Sequence, residues 1–208
     1  MSLSHLAAAI IWLAAIGMMI VKSPRSTTTL YRLQALGEAA LVALSAWTQT
    51  RPLLWASVAL IIVVKVVVVP WSIHRGFRGN TPGYSAKSPV GTTTLLMLAA
   101  LFSAGGYLLA ELGLPHPTAS GILLAALLVA LLHTTSRYEV WSMLWGLLSL
   151  DTVVGASIGL VSPALPATDV MAVTLVTLAL ALVLALLARW IRAIKPSLDV
   201  RQLEELTG

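Results

Sequence analysis

The feature that most limits the possible folds of this sequence is a succession of apolar stretches, each nearly as long as a bilayer is thick. A helix needs roughly 20 apolar residues to cross the hydrocarbon core. Only helices satisfy their own backbone in lipid, and the two-residue alternation of a barrel is absent. The sequence therefore predicts an all-α membrane protein, a polytopic bundle of about seven transmembrane helices, over 4–21, 28–48, 53–73, 92–112, 118–135, 140–162 and 170–189.

Composition agrees with this class and excludes several functions. Charged residues make up 10% of the 208 positions, whereas soluble domains have about 25%. Cysteine is absent, which removes disulfides, thiolate metal sites and a cysteine nucleophile. Phosphate-binding loops, nucleophile elbows and metal-binding helix motifs are also missing. We therefore expect no catalytic residue, no cofactor and no metal site, and we attribute the net charge of +5 to membrane topology rather than to nucleic acid binding.

Basic residues are distributed very unevenly between the two faces of the predicted bundle. With loops numbered alternately, one face receives only Arg51, Lys65 lies inside the membrane, and the other face receives Lys22, Arg25, Arg32, Arg75, Arg78, Lys87, Arg137, Arg189, Arg192, Lys195 and Arg201. The positive-inside rule places the basic face in the cytoplasm. The predicted N-terminus is therefore outside and the C-terminus cytoplasmic. The first stretch lacks a cleavage site, so we interpret it as a retained span rather than a signal peptide.

The predicted spans form one transmembrane domain, 1–208, which divides into a three-helix unit over 1–73, a linking helix over 92–112 and a second three-helix unit over 118–208. In each unit a basic residue precedes the second helix, and a carboxylate lies near that helix's middle. These pairs are Arg25 with Glu38 and Arg137 with Asp151. The pattern is typical of a weak parallel repeat.

Three ionisable residues lie near the middle of their predicted spans, namely Glu38, Lys65 and Asp151. A charge at this depth is costly, so such residues usually face a partner or a water-filled path. Together with His133, which lies near the cytoplasmic end of its span, they are the predicted proton or cation path. The alternative is that the first three are buried hydrogen-bonded ties and that His133 is an interfacial histidine.

The neighbours of these residues give more local predictions. Ser149 and Thr152 are close enough in sequence to hydrogen-bond Asp151. Gly155, one turn further on, would leave room for water or for a neighbouring group. Pro70 follows Lys65 by about one turn and removes a backbone hydrogen bond, which favours a kink.

Several segments, taken in order, resemble hydrogenase-4 component E, a membrane subunit of group 4 nickel–iron hydrogenases and formate hydrogenlyase-type complexes. They are Val21-Lys22-Ser23, Arg25, Tyr31, Gln34, Lys65-Val66, Val69-Pro70, Gly146-Leu147-Leu148, Asp151, Ala167-Thr168-Asp169 and Leu198-Asp199-Val200. The last ninety or so residues are also similar to the K (4L-type) subunit of complex I. The resemblance implies a non-redox subunit in the cytoplasmic (inner) membrane of bacteria or archaea. It also implies antiporter-like and complex I-like partners and a role in proton translocation.

The sequence departs from both families at the carboxylates. Asp151-Thr152 stands where the hydrogenase family has Glu-Asn, and the last span lacks the carboxylate of the complex I subunit, with Thr174 and Thr177 as its polar residues. Two other functions stay open: a purely structural subunit of the same complex, and a stand-alone cation transporter.

Overall fold

The computed structural model describes residues 3–21, 23–76, 91–114, 116–137, 140–161 and 166–194, and these ranges are almost entirely helical. Every predicted stretch is a helix. The elements are α1 (Leu3–Ile20), α2 (Pro24–Gln49), α3 (Pro52–Ile61), a π-helical segment (Ile62–Val68), α4 (Val69–Gly76), α5 (Thr92–Glu111), α6 (Pro117–Thr135), α7 (Val140–Val161) and α8 (Ala167–Ile194).

Within the described ranges, six helical rods are long and apolar enough to cross a membrane: α1, α5, α6, α7, α8 and the continuous rod formed by α3, the π segment and α4. The prediction of an all-helical, multi-pass membrane protein is thereby confirmed. The remaining helix, α2, has 26 residues and is about 39 Å long. It is less apolar because it carries Arg25, Arg32 and Glu38 together with threonines at 27–29.

Helix α2 lies inside the bundle, packed against α1, α3 and α7. It is antiparallel to α1, since Gly17 of α1 faces Leu30 and Gly37 of α2 faces Ile11. Glycine at such positions lets two helix backbones approach closely. Neighbouring helices thus cover the side of α2 that carries Glu38, whereas the arginines of α2 remain exposed.

Helices α2 and α7 run in parallel and in register. Gly155 of α7 faces Glu38 of α2, and one turn further along both helices Gly159 faces Val42. The Ser45 hydroxyl of α2 also donates to the Gly159 carbonyl at 3.0 Å. This register fixes which levels of the two helices lie opposite each other.

The rod that contains Lys65 changes its winding at that residue. Over Ile62–Val68 the helix is of the π type, and the Val69 N–H donates to the Val64 carbonyl. In a regular α-helix the N–H at position 70 would bond the Val66 carbonyl, but Pro70 has none. The Arg32 side chain of α2 donates to that carbonyl instead, with Nε at 3.1 Å. Pro70 thus fits the changed winding because another helix supplies the missing donor.

Two adjacent glycines of α5 give a matched test of the bundle's packing. A Cβ at Gly106 would lie 2.6 Å from the backbone nitrogen of Ala125 in α6, whereas a Cβ at Gly105 would have no neighbour within 4 Å. We expect Gly106→Ala to force α5 and α6 apart and to destabilise the protein by about 1–3 kcal/mol.

In contrast, Gly105→Ala should be neutral or stabilise the helix by up to about 1 kcal/mol. The measurement is thermal unfolding of both variants in the same detergent. Equal melting temperatures for the two variants would contradict the close α5–α6 contact.

Candidate functional site

Lys65 is held between two carboxylates in the interior of the bundle. Its Nζ donates to both oxygens of Glu38 at 2.9 Å and lies 3.0 Å from Oδ2 of Asp151. The exposed fraction is 0% for the Lys65 side chain, 2% for Glu38 and 20% for Asp151. These three residues, here called the triad, are therefore direct neighbours.

Three different helical rods supply the triad, each from near its own middle. Glu38 comes from α2, Lys65 from the π segment and Asp151 from α7. The structure thus brings together the three ionisable residues that the sequence predicts at a single depth. Because the three residues lie on separate rods, their contacts also hold the centres of these rods together.

Gly155 makes room for the Glu38 carboxylate. A Cβ at this position would lie 2.2 Å from Oε1 of Glu38 and 3.6 Å from Nζ of Lys65. The space predicted beside this glycine is therefore taken by a neighbouring group, and that group is Glu38. The absence of a side chain at position 155 is what allows Glu38 to reach Lys65.

The hydrogen-bond partner of Asp151 is on α8, which corrects the sequence prediction. Thr177 donates to Oδ2 of Asp151 at 2.7 Å. Thr152, which was expected to do this, donates to the Leu148 carbonyl, and the Ser149 hydroxyl has no partner. Successive helix residues point in directions about 100° apart, so neighbours in the sequence do not share a face. The sequence shows Thr177 as a polar residue of the last span but assigns it no role.

The triad holds one amine and two carboxylates, so one negative charge is in excess when all three are ionised. A single carboxylate would balance Lys65. The second gives the site a group that can take up and release a proton while the other remains paired. Asp151 is the better placed for exchange because it is more exposed than Glu38.

Two further polar residues of α2 are buried near the triad, and the sequence reading gave them no function. Tyr31 and Gln34 have 0% exposure. The Tyr31 hydroxyl lies beside Thr152 but outside hydrogen-bond geometry, and both polar atoms of the Gln34 side chain lack a partner. With Glu38 they are spaced three and four residues apart, which places them on one helical face. That periodicity was the signal that could have found them.

The fourth predicted path residue, His133, lies apart from the triad. It is 1% exposed and its Nε2 is 3.2 Å from the Ser142 hydroxyl of α7, while its Nδ1 has no partner. The described part of the chain contains no hydrogen bond or ion pair that joins it to the triad. His133 is therefore buried near the end of α6, and its part in the predicted path stays a prediction.

No group of three or more metal-ligating residues occurs within the described ranges. In the triad the Lys65 amine already occupies oxygens of both carboxylates. The chemistry that this arrangement supports is proton exchange between a carboxylate and its surroundings, with the ammonium group holding the remaining charge.

Comparison with known proteins gives no match to a family model, to a curated protein or to a solved structure. The class that the fold defines is a multi-pass helical membrane protein with a buried Glu–Lys–Asp triad.

Proposed function

We propose that this chain is a membrane subunit that contributes the triad to a proton (or cation) translocation path. The observation that carries the proposal is the pairing of one buried lysine, Lys65, with two carboxylates, Glu38 and Asp151, at mid-helix. Charged residues at membrane depth are expensive and usually mark ion or proton routes. A site with an unbalanced second carboxylate can gain a proton and lose it again.

The geometry favours a proton over a metal cation. Hard cations such as sodium are bound by several oxygen ligands, but both oxygens of Glu38 and Oδ2 of Asp151 already contact the Lys65 amine. A metal ion would have to displace an ammonium group that forms three contacts below about 3 Å. Protonation of Asp151 needs no such displacement, since Thr177 and Lys65 can stay in place.

We propose seven spans in the membrane, with α2 as the second, the N-terminus outside and the C-terminus cytoplasmic. The parallel course of α2 and α7 supports this topology, because a second and a sixth span must run in the same direction. The length of α2, about 39 Å, also exceeds the roughly 30 Å of the hydrocarbon core. The uneven distribution of basic residues supports the orientation.

The proposed context is a complex I-related hydrogenase or formate hydrogenlyase-type complex in the cytoplasmic membrane of a bacterium or archaeon. The resemblance of the sequence to hydrogenase-4 component E supports this context, and its antiporter-like and complex I-like subunits are the proposed partners. The 20% exposure of Asp151 is a physical reason to expect a partner subunit. A carboxylate at this depth needs a polar neighbour or water beside it, and a partner could supply either.

Co-purification in mild detergent tests the context. We expect the large subunit of a nickel–iron hydrogenase among the proteins that accompany the chain. A chain that purifies alone and transports cations in vesicles would instead identify a stand-alone transporter.

One observation favours a second function, a purely structural subunit. Glu38 and Lys65 form a two-point, fully buried ion pair, and such a pair fixes the relative position of two helices. Removal of one partner from a buried pair typically destabilises a protein by about 3–5 kcal/mol. A static tie, however, needs only one carboxylate.

The experiment that separates the two functions replaces Asp151 with asparagine in the complete complex. Asparagine keeps an oxygen for Thr177 but cannot exchange a proton. We expect normal assembly and a loss of proton translocation of at least tenfold, measured as acidification in sealed membrane vesicles.

Asp169→Asn is the matched control, because this exposed aspartate lies in the first turn of α8 and takes no part in the triad. It should translocate protons as the wild type does. Normal translocation by an assembled Asp151→Asn complex would contradict the translocation path and support the structural function.

A further inference from the structure

Among the residues that the structure describes, four buried side chains beside the triad carry polar atoms without a hydrogen-bond partner. They are the Tyr31 hydroxyl, both ends of the Gln34 carboxamide, the Trp145 indole nitrogen and the Ser149 hydroxyl. All four side chains have an exposed fraction of 0%. Buried polar groups in folded proteins are bonded to protein or to ordered water in the great majority of cases.

Two of these side chains are in contact across α2 and α7, since the Tyr31 ring packs against Trp145 with ring centroids 5.2 Å apart. Tyr31, Gln34 and Glu38 follow each other at helical spacing on α2. The register of the two parallel helices places Gln34 level with Asp151, and Ser149 lies within one turn of that level. The unpartnered atoms therefore lie at neighbouring levels of the two helices, from the triad toward the start of both.

The same row continues to the end of the bundle at which α2 and α7 begin. Ser142 lies one turn before Trp145 on α7 and contacts His133, whose Nδ1 is also unpartnered. Arg137 lies beyond His133, and its Nη2 donates to the Met19 carbonyl. This end carries the basic residues that predict the cytoplasmic face.

The opposite half of the same interface has a different character. There the Ser45 hydroxyl of α2 donates to the Gly159 carbonyl of α7, and the apolar Val42 of α2 lies opposite Gly159. In the adjoining α3–α8 contact the hydroxyls of Ser57 and Thr174 likewise donate to backbone carbonyls. Between the triad and the last turn of α2, the described residues include no fully buried side chain with an unpartnered polar atom. Gln49, which has one, is the final residue of α2 and only partly buried.

An unpartnered buried polar group costs about 1–3 kcal/mol. Five such atoms in one interface would cost about 5–15 kcal/mol, as much as the whole stability of a typical domain. Ordered water that makes two to four hydrogen bonds removes this cost, provided that several polar groups converge on it. Such groups are gathered at neighbouring levels of α2 and α7 on one side of the triad, and the described residues show none on the other side before the last turn of α2.

We propose that the α2–α7 interface is a binding site for a short chain of water molecules, a half-path that connects the His133 end to the triad and stops there. Tyr31, Gln34, Trp145 and Ser149 hold the water, and the dry half beyond the triad blocks continuous flow. The presence of water in the half-path does not depend on the proposed function. Only its consequence, that protons reach the triad from the basic side, rests on that function. The existence of the half-path is a property of the interface alone.

Cysteine accessibility tests the half-path directly, because the chain has no cysteine of its own. Ser149→Cys and Ser45→Cys place single thiols on the two sides of the triad in the same interface. Silver ion, which is small and reacts with thiols only in contact with water, is added to the basic face of membranes that contain the complete complex. The thiol left on this chain is then counted with a maleimide after unfolding.

We expect silver to protect most of the thiol in Ser149→Cys and at least tenfold less in Ser45→Cys. Equal protection of the two thiols, or none at Ser149→Cys, would overturn the half-path. The protein must be folded in each case, which wild-type amounts of assembled complex establish. If either cysteine variant fails to assemble, Ser149→Thr and Ser45→Thr are used in its place. In these variants Tyr31 is labelled radiolytically by bound water. A Tyr31 that stays unlabelled would overturn the half-path.

A functional variant separates failure of the half-path from failure of the proposed function. Gln34→Leu removes two of the unpartnered atoms and leaves the triad intact, and we expect at least tenfold slower proton translocation with normal assembly. If Gln34→Leu is normal while Asp151→Asn is inactive, the half-path is wrong and the triad function stands. If both are normal, the proposed function is wrong, and the silver result alone then decides whether the interface holds water.

Discussion

Replacing Lys65 with methionine is expected to abolish proton translocation and to lower stability by about 3–5 kcal/mol. The substitution leaves Glu38 and Asp151 facing each other with no positive charge between them, in a site where Glu38 is 2% exposed. Methionine has a similar length and fills the same volume, so the effect comes from the lost charge rather than from a cavity. The measurements are the yield of assembled complex on native gels and acidification in sealed vesicles.

A double variant keeps this prediction informative if Lys65→Met fails to assemble. Lys65→Met combined with Glu38→Gln restores the triad's net charge to that of the wild type, with Asp151 as the single charged member. We expect assembly to recover and translocation to stay at least tenfold below the wild type. Recovery of both would mean that the pair of Lys65 and Glu38 is a structural tie, and that it takes no part in proton transfer.

The second large effect is expected for Gly155→Ala, which adds one methyl group. Its Cβ would stand 2.2 Å from Oε1 of Glu38, so the carboxylate must leave Lys65 or the two helices must separate. Overpacking alone costs about 1–3 kcal/mol, and loss of the ion pair adds to it. We expect a destabilisation of about 3 kcal/mol or more, measured by thermal unfolding in detergent, together with slower translocation.

Gly105→Ala is the control for Gly155→Ala, since both are glycine-to-alanine changes inside helices and the new Cβ at position 105 meets no atom within 4 Å. It should not reduce stability or translocation. If Gly155→Ala behaved like Gly105→Ala, the carboxylate of Glu38 would not occupy the position beside α7 that the triad requires.

The sequence predicts the helices well because each is set by a local property, the length of an apolar stretch and the turn residues around it. The segments predicted at 53–73 and 118–135 correspond to the rod over Pro52–Gly76 and to Pro117–Thr135. Composition alone predicts α2 as a membrane span less clearly, because Arg32 and Glu38 lower its mean hydropathy. Glu38 is tolerated because it is buried against Lys65, and Arg32 because it stays exposed and donates to the Val66 carbonyl.

The sequence predicts which ionisable residues belong to the site, but it does not predict which side chains touch each other. Equal depth follows from counting residues along each helix, and this brought Glu38, Lys65 and Asp151 together as candidates. Which side chains touch depends on how each helix is rotated about its axis, and no local pattern fixes that rotation. Thr177 is therefore the partner of Asp151 in place of Ser149 and Thr152, and Gln34 was named in the resemblance but not as a site residue.

The position of His133 illustrates the same limit. Its sequence location gave the correct end of α6, but its burial against Ser142 depends on the packing of α6 on α7. Gly146 permits that packing, since a Cβ there would lie 2.5 Å from the Thr134 hydroxyl oxygen. The close approach of α6 and α7 thus explains why a histidine near the end of α6 is buried.

The most direct test of the triad's role is the number of protons moved per redox turnover in sealed vesicles that contain the complete complex with Asp151→Asn. The expected result is normal assembly and normal redox turnover in detergent, with proton movement reduced at least tenfold and Asp169→Asn unchanged. An assembled Asp151→Asn complex that moves as many protons per turnover as the wild type would contradict a translocating role for the triad.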